Sequence, residues 1–248
     1  QIEVVPLDSL TKVNKDHLTT PHRTNFYHIF LFENCQPTHF VDFEQIKIQP
    51  YTLLFIDKDR VHQFDKLLNY DGKVLIFTDD FFTNTKFLRA SILFKDFSNK
   101  PAITLSQKDF QQFATICDSI TEELNLPTDH SKYTILNNHL HNFLLLAERE
   151  KRKQEFKEIK KGADLDYTIL FRDLLEENFA KLKSVKEYIS LSFISEKRLL
   201  QATTEVLGKS PKEIINERIV LEAKRLLAHT NESVKEIGFS LGFEEPTN

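Results

Sequence analysis

The sequence predicts a multidomain α+β chain with three parts: a small N-terminal β-barrel, a helical connector, and an all-α C-terminal domain of paired helix-turn-helix units. Three observations predict it. Short apolar runs with turns about every 8–12 residues fill the stretch from Arg23 to Asp80. Two patterns of helical period follow. From Ser184 onward, short capped helices alternate with tight turns. The expected boundaries are 1–105, 106–163 and 164–248.

In the first part, Gln1–Pro21 is a mixed arm whose Val4, Val5, Leu7 and Leu10 suit a sheet edge. Phe26, His28, Phe30 and Phe32 alternate with Tyr27, Ile29 and Leu31, so this strand is apolar on both faces and is expected to be central. Phe40–Phe43, Ile46–Ile48, Thr52–Ile56 and Val61–Phe64 read as further strands. Asn69-Tyr70-Asp71-Gly72 is a hairpin signal ahead of Lys73–Phe77. The chain holds 22 Phe, which suits a packed aromatic core.

In the second part, Ser106 caps a helix reaching Leu126, with Phe110, Phe113, Cys117, Ile120 and Leu124 on one face. A second helix, from Asp129 to Phe156, carries Tyr133, Leu136, Leu140, Phe143, Leu144 and Ala147 on one face. Those faces need partners: one is the barrel, and the other is the same helix of a second subunit or, in an intramolecular α-hairpin, the neighbouring helix. Glu148–Lys161 is charged with both signs interleaved and reads as a solvated helix end and linker.

In the third part, Asp164–Lys183 opens with a helix holding Leu170, Phe171, Leu174, Leu175 and Phe179. Ser195 caps the helix Glu196–Leu207, and Gly208 supplies its left-handed C-cap. Ser210-Pro211 starts a longer helix that buries Ile214, Ile215, Ile219, Leu221, Ala223, Leu226 and Leu227. Ser233 caps a short helix that Gly242 ends, and Glu244-Glu245-Pro246-Thr247 reads as the start of another.

Gly208-Lys209-Ser210-Pro211, Asn216-Glu217-Arg218 with Glu222–Leu227, and Ser233–Phe243 stand in one order and spacing. On these residues the stretch resembles the DNA-binding domain of AraC/XylS-type bacterial transcription regulators. The resemblance implies that the second helix of each unit enters a DNA major groove. It assigns base contacts to Lys197, Leu200 and Gln201, with Arg198 and Thr204 near phosphates. Lys197 would read a guanine edge, Gln201 an adenine, and Leu200 a thymine methyl. In the second unit only Glu245, Pro246, Thr247 and Asn248 remain to name, so that reading head is expected to be incomplete. Ile189 and Ser192 depart from the family pattern, which has a small residue and an apolar one there.

The first part resembles the cupin-type sensing domain that precedes many such DNA-binding domains. The matching points are His39-Phe40, the turn after Pro50, and Val61-His62-Gln63-Phe64. This implies a small-molecule effector in the barrel mouth, touched by His39, Glu44 and His62. Metal-binding cupins carry a His-x-His pair, but Phe40 and Val41 follow His39, so no metal ligands and no cofactor are assigned. No catalytic set is visible either. The reading is a DNA-binding, effector-responsive regulator that acts on promoter DNA as a homodimer. The alternative is a metal-dependent cupin enzyme with a helical appendage.

The chain has 248 residues, 40% hydrophobic and 28% charged, with net charge −4. That balance describes a soluble protein with room for two cores. An acidic total argues against a nucleic-acid binder, yet Lys197, Arg198, Lys209 and Lys212 cluster around the first reading helix. Asp164, Asp166, Asp173, Glu176 and Glu177 come well before it in the sequence. No apolar run is long enough for a membrane span, and no signal peptide is visible. Cys35 and Cys117 match no metal or redox spacing, which suits a reducing cytoplasm. There is no Met, so Gln1 is not expected to be the native start.

Overall fold

The computed structural model describes residues 1–13, 15–58, 60–67, 69–84, 87–88, 91, 93–94, 101–155 and 163–244. It divides into two compact units, Gln1–Lys157 and Glu158–Asn248.

Among the described residues the first unit holds nine strands: β1 (Ile2–Pro6), β2 (His22–Arg23), β3 (Tyr27–Phe32), β4 (Thr38–Val41), β5 (Glu44–Lys47), β6 (Thr52–Ile56), β7 (Val61–Phe64), β8 (Gly72–Phe77) and β9 (Ala102–Thr104). Short helices α1 (Leu7–Val13) and α2 (Lys15–Leu18) link β1 to β2. The strands form two sheets, β1-β8-β3-β6-β9 and β2-β7-β4-β5. The barrel is therefore built as two sheets that do not join into one closed ladder among the described residues.

Strand β3 is buried along its whole length and lies between β6 and β8. The two-fold alternation of a strand sends its side chains to two different cores. Phe30 and Phe32 join Leu54, Ile56, Phe64, Tyr70 and Val74 in one core. Tyr27, Ile29 and Leu31 join the other, which includes residues of two long helices. These are α3 (Gln107–Asn125) and α4 (Lys132–Glu155). Their buried residues Phe110, Phe113, Cys117, Ile120, Leu140, Phe143 and Ala147 pack against the five-stranded sheet. The apolar faces that needed a partner are thus covered within this chain.

The expected hairpin at Asn69–Gly72 is not one. Strand β7 pairs with β2 and β4, whereas β8 pairs with β1 and β3, so this connection passes from one sheet to the other. Gly72 has φ +131°, and a Cβ there would lie 1.8 Å from the Leu31 carbonyl oxygen of β3.

The second unit comprises α5 (Ala163–Asn178), α6 (Val185–Ser192), α7 (Glu196–Leu207), α8 (Pro211–His229) and α9 (Val234–Ser240). Serine hydroxyls open three of them: Ser195, Ser210 and Ser233 accept the backbone N–H groups of Arg198, Glu213 and Glu236. Glu187, Glu213 and Glu236 return the bond by accepting the N–H of Ser184, Ser210 and Ser233, each at 2.7 Å. These bonds hold the three carboxyls below their usual range, the serine contacts being the largest cause. Phe171, Leu175, Tyr188, Ile194, Leu199, Ile214, Ile215, Ile219, Ile237 and Leu241 form one core. On α8, Leu227 is exposed rather than buried, and Arg225 is buried instead, paired with Glu222 at 3.3 Å. Where a small residue and an apolar one were expected, Ile189 packs at the edge of the core and the buried Ser192 donates its hydroxyl to the Ile189 carbonyl.

Candidate functional site

Helices α6 and α7 form the first helix-turn-helix. On α7, Leu199 and Ala202 are fully buried, and Thr203 joins them with its hydroxyl donated to the Leu200 carbonyl. That fixes the rotation of the helix. Lys197, Leu200, Gln201 and Thr204 consequently point to solvent on the opposite side. Its N-terminus is capped by Ser195 and its end by Gly208 at φ +68°.

Arg198 differs from the other expected contacts. Its guanidinium lies 2.5 Å from the Asp164 carboxylate and 5.0 Å from the Tyr167 ring, so it ties α7 to α5. Asp164 is remote in sequence but not in space. Arg198 thus already has an intramolecular partner where a phosphate contact was expected. Arg218 makes a similar clasp on α8: it bonds Glu176 and Glu222 and stacks 3.8 Å from the Phe179 ring centroid. Glu245, Pro246, Thr247 and Asn248 lie outside the described residues.

Residues 191–248 match the family model described as a helix-turn-helix domain, and the match spans α7, α8 and α9. The C-terminal unit carries an AraC-type helix-turn-helix domain. The chain is accordingly a DNA-binding transcription regulator. No curated protein matches its sequence. Among solved structures, ToxT from Vibrio cholerae is 12% identical with a TM-score of 0.44, over 99% of this chain and 90% of that one. ToxT from Vibrio cholerae O395 bound to (E)-4-(8-methylnaphthalen-1-yl)but-3-enoic acid gives 14% and 0.41, over 99% and 90%. The AraC-like transcriptional activator CuxR gives 14% and 0.32, over 81% and 68%. Among the described residues, no helix is long and apolar enough to cross a membrane.

The regulator's first unit contains the other expected site. His39 and His62 do meet: His39 Nε2 lies 3.2 Å from His62 Nδ1, with both rings buried. Glu44 does not join them. It sits exposed at the start of β5, beside the hairpin turn at Asp42-Phe43, where the strand leaves the core. Two other histidines take its place. The His22 ring is centred 4.2 Å from His62, and the His28 ring 4.9 Å from it. His22 pairs with His62 in the β2–β7 register, and His28 lies on the face of β3 that also presents Phe30. The signal that could have found His28 was its place in an otherwise aromatic alternation.

The hydrogen bonds fix the tautomers. Tyr70 accepts the Asp65 N–H at 2.8 Å and donates to the Thr38 carbonyl at 3.0 Å. His39 Nδ1, 3.5 Å from that hydroxyl, is then the donor. His39 Nε2 must accept from His62 Nδ1, which leaves His62 Nε2 a bare lone pair. That atom is buried and has no hydrogen-bond partner among the described residues, and the same holds for His28 Nδ1. Burial, with repulsion from neighbouring imidazoles, lowers the pKa of His28 and His39 to about 3 and that of His62 well below the usual value. His28, His39 and His62 are therefore neutral at pH 7. Among the described residues, no three His, Cys, Asp or Glu groups are gathered where they could hold a metal ion. Cys35 and Cys117 are both buried free thiols, and burial pushes Cys117 up to about 12.

Proposed function

We propose that this chain is an effector-responsive regulator that binds promoter DNA through α7, with its first unit as the sensing domain and a homodimer as the working form. The observation that carries the DNA-reading assignment is the α7 face of Lys197, Leu200, Gln201 and Thr204, all exposed while the opposite face is locked in the core. Such a face matches major-groove chemistry: an ammonium for a guanine edge, an amide for adenine, and an apolar tip for a thymine methyl. Support for sensing comes from the buried, neutral His28, His39 and His62 and the open recess beside the cluster, lined by His17, Arg23, Thr24, Asn25 and Phe26. The His17 ring packs 4.7 Å from His22, and Phe26 packs 5.2 Å from His28, so a small molecule in the recess would touch the cluster's edge. A homodimer through the helical layer would have to use its outer surface, where Tyr133 and Leu145 are exposed.

Selecting duplexes from a randomised pool with the purified chain tests the reading. Gln201→Ala is expected to relax preference at one base pair and to weaken binding by about 1–3 kcal/mol. Wild-type binding should fall steeply with salt, since the phosphate contacts release counterions. An unchanged consensus from the Gln201→Ala selection would remove Gln201 from the reading face.

A further inference from the structure

The turn between α6 and α7 contains a backbone and side-chain conflict. Phe193 sits in the left-handed region, at φ 56° and ψ 24°, with its N–H bonded to the Ile189 carbonyl at 3.1 Å. Glycine or asparagine takes that conformation at lower cost, and a bulky L-residue is strained there. The ring gains nothing from the fold in return. It is 96% exposed, the highest value among the exposed large apolar residues described. Its neighbours Ser192 and Ile194 are both buried, so the backbone is pinned on each side and the ring is held outward. A strained residue with no intramolecular contact, kept in place by its surroundings, is what a binding surface contains.

Position says what would cover it. Phe193 is two residues before Ser195, the N-cap of α7, which puts their Cα atoms within about 7 Å. Ser195, Glu196 and Lys197 follow it and are all exposed, and Leu200, one turn further along the helix, is 46% exposed. Phe193 thus continues the DNA-reading face rather than opening a separate one. Its neighbour Lys197 supplies a positive charge for phosphate or guanine, and DNA offers apolar partners in thymine methyls and sugar faces.

We propose that Phe193 is a DNA contact of the first reading head, seated against a thymine methyl or a deoxyribose at the edge of the groove that α7 enters. The inference rests on the assignment of α7 as the reading helix. It adds a residue outside that helix, and it predicts opposite signs for folding and for binding.

The test uses the full chain and the duplex that wild type selects from a randomised pool. Phe193→Asn and Phe193→Gly should melt at the wild-type temperature or above, because the left-handed strain is relieved. Their affinity for that duplex should fall roughly 5- to 30-fold. Their salt slope should match wild type, since no phosphate contact is lost. Phe193→Leu, which keeps an apolar tip, should recover part of the affinity. Wild-type affinity in the Asn and Gly variants overturns the proposal. So does a loss of self-association, read by sedimentation, with DNA affinity intact, for then a second copy covers the ring. If wild type selects no duplex at all, the reading helix itself is misassigned and this inference falls with it.

Discussion

Acidification from pH 6.5 towards pH 4 should unfold the first unit through its histidine cluster. His28 and His39 have folded pKa values of about 3, and His62 lies well below its usual value, because each is buried among other imidazoles. In the unfolded chain the same groups titrate near about 6.5. The folded state therefore holds them neutral, and the unfolded state binds the extra protons. Stability is fully present above pH 6.5 and is lost as pH falls through the window between the two values. With three protons taken up on unfolding, the slope approaches about 4 kcal/mol per pH unit. Two units would then remove about 8 kcal/mol, comparable with the whole stability of an ordinary domain, about 5–15 kcal/mol.

The measurement is hydrogen exchange at the amides of β3 and β6 between pH 6.5 and 5, above the range where carboxylates dominate. Protection corrected for intrinsic exchange should fall with a slope of two to three protons. A slope near zero would mean that the cluster is solvated and that burial does not hold it neutral. Effector binding at the recess beside His17 and Phe26 should flatten the curve only if it favours the neutral state.

Much of the second unit was legible because its signals are local. Serine caps and the Gly208 turn specify helix ends from two or three neighbouring residues, and α7 runs from Glu196 to Leu207 as its spacing predicts. The inward stripe of Leu199 and Ala202 follows from period alone. In the first unit, β3 reads as central because both its faces are apolar, and it is. What was not legible is non-local. The histidine cluster is assembled by the register of β2 against β7 and by the face of β3, and neither is set by residues nearby in sequence. The turn-like Asn69–Gly72 could equally join two strands of one sheet or cross between sheets, and only their partners decide. Arg198 is basic and lies in the first turn of the reading helix, so the family resemblance assigns it to phosphate. Its partner Asp164 comes from a helix whose docking the sequence does not give.

Gly242→Ala should destabilise the DNA-binding domain by about 3–5 kcal/mol and abolish high-affinity binding. Gly242 has φ +80°, and a Cβ there would lie 2.0 Å from the Ala180 carbonyl oxygen and 3.2 Å from its carbon. Both atoms are backbone, so no side chain can swing aside. The residue ends the segment in which Leu241 and Ile237 pin α9 to the core, and its N–H bonds the Phe239 carbonyl at 2.9 Å. The turn it meets is itself held, since the Lys183 ammonium bonds the Phe179 carbonyl and lies 5.6 Å from the Phe243 ring centroid. To admit a methyl group, either α9 must lift from Ile237 and Leu241 or the turn after α5 must move. Either displaces α9 relative to the first helix-turn-helix. Gly208 provides the control. Its φ is +68°, but nothing lies within 4 Å of a Cβ built on it, so Gly208→Ala carries only the left-handed cost of about 1–2 kcal/mol. Urea denaturation of the two variants separates strain from collision. Equal losses would mean that the contact with Ala180 relaxes freely, and that α9 is less rigidly coupled to the rest of the domain than the close approach at Gly242 implies.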